Sequence, residues 1–142
     1  MTATFARGTS VTEDRTRAEI EKMLGRYGAT RFGVLTDYAS RTAVIGFTYK
    51  RLNIEMKIQL PDPDDKRFKT TPSARWRRNP DDQRDEYDGE VRRKWRCLAI
   101  ALKAKLVAVE DGITTFEREF LPYIITADGR SIADRQVSCP IA

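Results

Sequence analysis

The sequence contains no histidine, and this absence excludes more classes of protein than any motif in the chain supports. Without an imidazole, the chain cannot form a Ser-His-Asp or Cys-His nucleophile, a histidine-containing zinc site or the usual pH switch near neutrality. An enzyme would have to use carboxylates with a divalent cation, or lysine or tyrosine as a base. The sequence leaves an activity open but favours a protein that is not an enzyme, with no catalytic residue, no cofactor and no metal site.

Cysteines and long apolar runs are also scarce. Cys97 falls inside a helical pattern and Cys139 lies near the end of the chain, so we expect reduced thiols rather than a disulfide framework. No run approaches the roughly 20 apolar residues that a membrane span needs, and the first residues lack the apolar stretch of a signal peptide. We therefore expect a cytoplasmic protein with no membrane partner.

The composition of the chain is that of a globular protein. The hydrophobic fraction is 40% and the charged fraction 33% in 142 residues, which suits one domain with a core of its own. We expect a flexible N-terminal tail at residues 1–10 and a single domain over 11–142, with a long basic loop at 61–85.

Hydrophobic periodicity predicts the α+β class. A helical spacing in the first third of the chain is followed by two short strands and by a third strand, 53–60, in which apolar and polar residues alternate. A second helical spacing then extends over a long segment. Its apolar positions are Tyr87, Val91, Trp95, Leu98, Leu102, Leu106 and Val109. The expected order is helix, three-stranded antiparallel meander, long basic loop, long helix and short helix, with the helices packed on one face of the sheet.

The loop carries most of the charge asymmetry of the chain. Between Lys66 and Arg84 there are seven cations and two anions, a surplus equal to the net charge of +5 of the whole chain. Loops of more than about 12 to 15 residues are usually functional or disordered. The loop is therefore the first candidate for a binding site.

Two stretches carry a resemblance to a known family: RAEIEKMLGRYGATRFG near the start, and RRKWRCLAIALKAKLVAVEDGITTFEREFLPYIITADGRSI near the end. They resemble small proteins of bacteria, many of them actinobacteria, and of their phages and mobile elements. No activity is established for that family, so the resemblance implies a mobile-element setting and assigns no catalytic residue. The order of elements alone is similar to phage single-strand annealing proteins and to double-stranded RNA-binding domains.

The leading hypothesis is a nucleic-acid-binding protein of a phage or mobile element that binds single-stranded DNA in replication or recombination. Cations would neutralise phosphates and aromatic rings would stack on bases. The expected binding residues are Lys66, Arg67, Phe68, Lys69, Arg75, Trp76, Arg77 and Arg78 in the loop, and Arg92 and Arg96 on the polar stripe of the long helix. Annealing proteins act as rings or filaments, so a homo-oligomer would be expected in that case.

Two alternatives remain open from the sequence. The same loop could be a docking arm of a protein-interaction factor that binds and inhibits or redirects a host protein or captures an acidic ligand. Glu55 and Lys57 form a Glu-x-Lys on the third strand, and Asp37 lies just before the second, which is the order of a Mg²⁺-dependent PD-(D/E)xK nuclease. The nuclease pattern has little specificity, because alternating charges on a polar strand face produce it by chance.

Overall fold

The computed structural model describes residue 6 and residues 9–73 and 75–134, and it confirms the predicted α+β class. The described part contains three strands in one open sheet and five helical segments, one of them a single 3₁₀ turn. In chain order they are α1 (Glu13–Tyr27), β1 (Arg31–Asp37), β2 (Thr42–Tyr49), β3 (Leu52–Gln59), α2 (Lys66–Lys69), α3 (Pro80–Glu110), α4 (Phe116–Phe120) and the 3₁₀ turn (Leu121–Tyr123). Most of the predicted tail, 1–10, and Cys139 lie outside the described residues.

The sheet is the predicted antiparallel meander, with strand order β1-β2-β3. Phe32 is paired with Phe47 across β1 and β2, and Phe47 with Ile54 across β2 and β3, so these three side chains share one face. Alternation along each strand places most of the apolar residues on this face and the polar residues of β3 on the other. The first face is the core face, and we call the other the open face.

The core lies between the core face of the sheet and the helices. Ile20 and Leu24 of α1 and Trp95 and Leu102 of α3 are fully buried in it, together with Ile45 of β2. Phe120 of α4 meets Phe47 edge-to-face, with ring centroids 5.8 Å apart, so the short helix closes one end of the core. The predicted apolar stripe of the long helix is therefore its core-facing side.

Local capping explains where the helices begin and end. The Thr12 hydroxyl accepts a hydrogen bond from the backbone N–H of Arg15 at the start of α1. Gly28 ends α1 in the left-handed region, at φ 107°, where its N–H is bonded to the carbonyl of Leu24. Thr115 caps α4 in the same way as Thr12 caps α1.

The long basic loop predicted at 61–85 is shorter in the structure and contains regular elements. The helix α3 begins at Pro80, so residues 80–85 are helical, and the remaining segment contains α2 and an isolated bridge between Thr70 and Arg77. Asn79 is the N-cap of α3 and its side chain accepts from the N–H of Asp82. Proline is favoured at the first position of a helix, where its missing N–H costs nothing, so Pro80 starts this helix rather than interrupting it.

None of the helices in the described part of the chain combines the length and the apolar content of a bilayer span.

Candidate nucleic-acid interface

The segment between β3 and α3 is attached to the domain by one buried aromatic residue. Asp65 caps α2 by accepting from the N–H of Arg67, and the turn directs Phe68 inward. Phe68 is 3% exposed and meets the ring of Tyr87 on α3 edge-to-face, with centroids 5.6 Å apart. The prediction that Phe68 stacks on bases is therefore wrong for this structure, because its ring anchors the segment instead.

A small hairpin follows α2. The N–H of Thr71 donates to the carbonyl of Trp76 at 2.9 Å, and the N–H of Arg78 donates to the carbonyl of Lys69 at 2.7 Å. These bonds hold two chain segments side by side and leave a projecting end, of which residues 72–73 and 75–77 are described and which we call the tip. The side chain of Trp76 lies on the tip and is 69% exposed.

Within the loop, three of the predicted phosphate-binding cations have carboxylate partners in the chain. Arg67 lies 3.9 Å from both Asp65 and Glu90, and its guanidinium also covers the ring of Phe68. Lys69 lies 3.5 Å from Asp64. Since Arg67 and Lys69 remain partly exposed, these pairs are weak and could exchange a carboxylate for a phosphate.

The third of these cations, Arg78, has a different role from the one predicted. Its guanidinium donates to the carbonyl of Arg67 at 2.7 Å, and it lies 3.8 Å from the carboxylate of Glu86 on α3. Only 13% of its side chain is exposed. Arg78 therefore holds the base of the hairpin to α2 and α3, and the prediction that it binds phosphate is not supported by its surroundings.

The acidic residues that balance the loop come from its two flanks. The stretch Lys66–Arg84 excludes both flanks, whereas the longer stretch 61–90 includes them and holds nine anions and seven cations. Asp64 and Asp65 precede the basic residues, and Glu86 and Glu90 follow them on α3, and the fold brings all four back to the loop. The segment is consequently far less basic than its own composition indicates.

Three cations have the surroundings expected of phosphate-binding residues: Lys66, Arg75 and Arg77. All three are exposed, and within residues 9–73 and 75–134 none of them has a hydrogen-bond or ion-pair partner for its side chain. Arg75 and Arg77 flank Trp76 on the tip. The tip thus carries one exposed indole between two exposed arginines whose side chains have no partner among the described residues.

The two arginines predicted to extend this site along α3 face α1 instead. Arg96 pairs with Glu19 at 2.7 Å, and the hydrogen bond that Arg96 donates lowers the pKa of the Glu19 carboxyl. The Nε of Arg92 donates to the carbonyl of Thr9 at 3.4 Å. Arg92 and Arg96 therefore contact the chain before α1 and α1 itself, and these surroundings do not support the prediction that they extend the nucleic-acid site.

Sequence reasoning missed a charged pair at the junction of the loop with α3. Arg93 is 9% exposed and donates to the carboxylate of Glu90 from Nε at 3.1 Å and from a terminal nitrogen at 2.6 Å. Burial alone would raise the pKa of Glu90, but the Arg93 bonds and the nearby charge of Arg67 outweigh it and lower the pKa. The (i, i+3) spacing of Glu90 and Arg93 on a helix is the sequence signal for this pair, and burial strengthens the attraction between the two charges.

The nuclease residues do not converge. Asp37 pairs with Thr42 on β2, which pairs with Gln59 on β3, so Asp37 is two strands and four residues away from Glu55. Standard sheet spacings put their Cα atoms roughly 17 Å apart, too far for both carboxylates to ligate one Mg²⁺. The carboxylate of Asp37 instead accepts from the N–H groups of Ala39 and Ser40, which lower its pKa. Among the described residues, no three acidic or cysteine side chains form a group that could hold a metal ion.

Comparison with known proteins adds no relative: no protein-family model matches the chain, and neither a curated protein nor a solved structure matches it significantly.

Proposed function

We propose that the protein binds single-stranded nucleic acid, with DNA as the expected ligand, through the tip of the loop. The observation that carries the proposal is the indole of Trp76, which is 69% exposed and lies in the chain between Arg75 and Arg77, two exposed arginines with no side-chain partner among the described residues. An exposed aromatic ring between cations is the arrangement by which proteins stack an unpaired base and neutralise its phosphates.

A single strand is favoured over a duplex by the shape of the tip. One indole on a projecting hairpin can stack on a base only where that base is unpaired, because the bases of a duplex are already stacked on one another. The primary contacts would be Lys66, Arg75, Trp76 and Arg77, with Arg67 and Lys69 joining by exchange of partners. The resemblance to phage proteins supports replication or recombination of a mobile element as the setting.

The test is a titration of a labelled single-stranded DNA oligonucleotide, followed by fluorescence anisotropy at several salt concentrations. We expect the logarithm of the affinity to fall linearly with the logarithm of salt concentration, with a slope of about −0.7 for each phosphate contacted. Arg75→Ala/Arg77→Ala should weaken binding and make this slope shallower by about 1.4, because two phosphate contacts are removed. Quenching of the exposed Trp76 on binding, with Trp95 fully buried as the internal reference, would report stacking.

A matched control is available on the other helices of the domain. Lys22 and Arg118 are exposed cations on α1 and α4, so Lys22→Ala/Arg118→Ala removes the same charge while leaving the tip intact. If this control weakens binding as much as the tip variant does, the attraction is due to net charge and the tip is not the site. Absence of binding at low salt, where phosphate contacts are strongest, would refute the proposal.

A second candidate function is a protein-interaction factor in which the tip is the docking element. The near-neutral charge balance of 61–90 favours it, because a loop surrounded by carboxylates attracts a polyanion less than an isolated basic loop would. Trp and Arg are also the residues that most often dominate protein interfaces. Salt separates the two candidates: an interface centred on a buried Trp76 would lose little affinity between low and high salt, whereas a phosphate-binding tip would lose much.

A further inference from the structure

The strand β1 lies at one edge of the sheet. The other edge of the sheet is partly covered, since the N–H of Ile125 donates to the carbonyl of Asn53 on β3 at 2.8 Å and Ile124 bridges to Ile54. No described segment makes a comparable backbone bond to β1 on its outer side. The strand also lacks proline and lysine, the residues with which proteins usually block an edge from pairing.

The register identifies which backbone groups point outward from β1. Asn53 directs its carbonyl away from β2, so the odd-numbered residues of β3 face out and the even-numbered residues, such as Ile54, face β2. Ile54 pairs with Phe47, so odd residues of β2 face β3 and even residues face β1. Thr48 pairs with Arg31, so the odd residues of β1 face β2. The N–H and C=O groups of Phe32, Val34 and Thr36 therefore point away from β2, and no described segment pairs with them.

The sequence of β1, RFGVLTD, is complementary to itself in the antiparallel direction. A two-fold axis through Val34 places Arg31 opposite Asp37 of a second copy, and Gly33 opposite Leu35 of that copy. The charges at the two ends are opposite, and both Arg31 and Asp37 lie on the open face without an ion-pair partner among the described residues. The exposed side chain of Leu35 would therefore lie against Gly33 of the second copy, which has no side chain.

We infer that the protein forms a symmetric dimer by antiparallel pairing of β1 with β1 of a second copy, giving a continuous six-stranded sheet. Pairing centred on Val34 would form about six backbone hydrogen bonds between the copies. It would also cover Leu35, which is 71% exposed, and the half-buried Phe32 and Val34 on the core face. One seven-residue strand per copy is a small interface, so the dimer should be weak and depend on concentration.

Charge exchange between the copies provides the sharpest test. Arg31→Asp should weaken the dimer because an aspartate then faces Asp37 twice, and Asp37→Lys should weaken it because a lysine then faces Arg31 twice. An equimolar mixture of the two variants should restore the dimer, because each cross-pair again joins opposite charges. Sedimentation velocity over a concentration series measures the fraction of dimer. The control is Lys57→Asp, which makes the same charge change as Arg31→Asp but on the open face of β3, and it should dimerise as the parent does.

Asp37 also holds the turn after β1, so a second measurement avoids that position. Hydrogen exchange followed by NMR should show the amides of Phe32, Val34 and Thr36 exchanging more slowly as the protein concentration rises. Leu35→Lys should remove that dependence while leaving the fold intact, since Leu35 is mostly in solvent. A parent that stays monomeric up to about 1 mM, the weak end of measurable affinity, would overturn the inference. So would a dimer that persists in both Arg31→Asp and Leu35→Lys, because its interface would then lie elsewhere.

Discussion

Glu90→Gln provides the most direct test of the largely buried ion pair that Glu90 and Arg93 form on the long helix. The carboxylate of Glu90 receives three described hydrogen bonds from Arg93, at 2.6 to 3.1 Å, and lies 3.9 Å from Arg67 of α2. The substituted glutamine would keep the shape and one acceptor oxygen, but it would remove the negative charge that faces the guanidinium of Arg93, which is 9% exposed. Breaking a fully buried pair costs about 3–5 kcal/mol. Because 16% of the Glu90 side chain reaches solvent, we expect a smaller cost of about 2 kcal/mol, within the range for hydrogen bonds to charged groups.

Urea unfolding at pH 7 measures this cost, and Glu86→Gln is the matched control on the same helix. Glu86 is 54% exposed and lies 3.8 Å from Arg78, so its loss should change the free energy of unfolding by no more than about 0.5 kcal/mol. With a urea m-value of about 2 kcal/mol/M, Glu90→Gln should lower the midpoint by about 1 M. Equal midpoints for the two variants would show that the Glu90 pair contributes nothing beyond a surface ion pair.

The stability difference between the parent and Glu90→Gln should depend on pH in a direction set by the pKa of Glu90. The pKa of Glu90 in the folded protein is below its ordinary value of 4.5, so its contribution to stability is complete above pH 4.5 and is lost as the pH falls through the folded pKa. The glutamine that replaces it has no such ionisation. The difference in stability between parent and variant should therefore shrink below pH 4.5, and a difference that stays constant down to about pH 3, well below the ordinary pKa of a glutamate, would refute the assignment of the low pKa.

Two further predictions concern the turn between β2 and β3 and the two tryptophans. Lys50 and Arg51 occupy that two-residue turn at φ 45° and 70°, values that strain these side chains and at which Asn-Gly is preferred. Lys50→Asn/Arg51→Gly should therefore stabilise the protein by about 1 kcal/mol and raise Tm by about 3 °C, and an unchanged or lower Tm would show that the turn is not strained. Trp76→Ala should leave the free energy of unfolding within about 0.5 kcal/mol of the parent, whereas Trp95→Ala should lower it by about 3–5 kcal/mol; similar losses for both would contradict the exposed position of Trp76.

The periodicities of the sequence were sufficient to predict the fold class, because each depends on neighbours within one element. The alternation of 53–60 predicts β3 with its core and open faces, and the helical spacing from Tyr87 to Val109 predicts the core-facing side of α3. The predicted loop extends to residue 85 because the apolar spacing of the long helix begins only at Tyr87, whereas α3 begins at Pro80. Asn79 before Pro80, with two acidic residues after it, is the local signal for that start.

The errors at the candidate site have a different origin. A helical wheel gives the angle between Arg92, Arg96 and the apolar stripe, but it does not say which third element covers the polar side. In the structure that element is α1, and Glu19 meets Arg96 there. Phe68 was misassigned for the same reason, since only the tertiary contact with Tyr87 distinguishes an anchor from an exposed platform.

The division of the loop into anchoring and exposed residues determines which mutations can test its function. Phe68 and Arg78 attach the segment to α3, where Glu90 also lies 3.9 Å from Arg67, while Arg75 and Arg77 have no described partner. Reversing the charge of every arginine in the loop would break the contacts of Arg78 that anchor the hairpin and would also reverse the charge of the tip. A loss of binding in that variant would therefore have two causes that the experiment does not separate. Arg75 and Arg77 changed together, with Arg78 retained, separate the two causes because the anchors stay in place. If that variant keeps the parent's stability and loses nucleic-acid binding, the tip is the site; if it keeps both, the tip is not needed for binding.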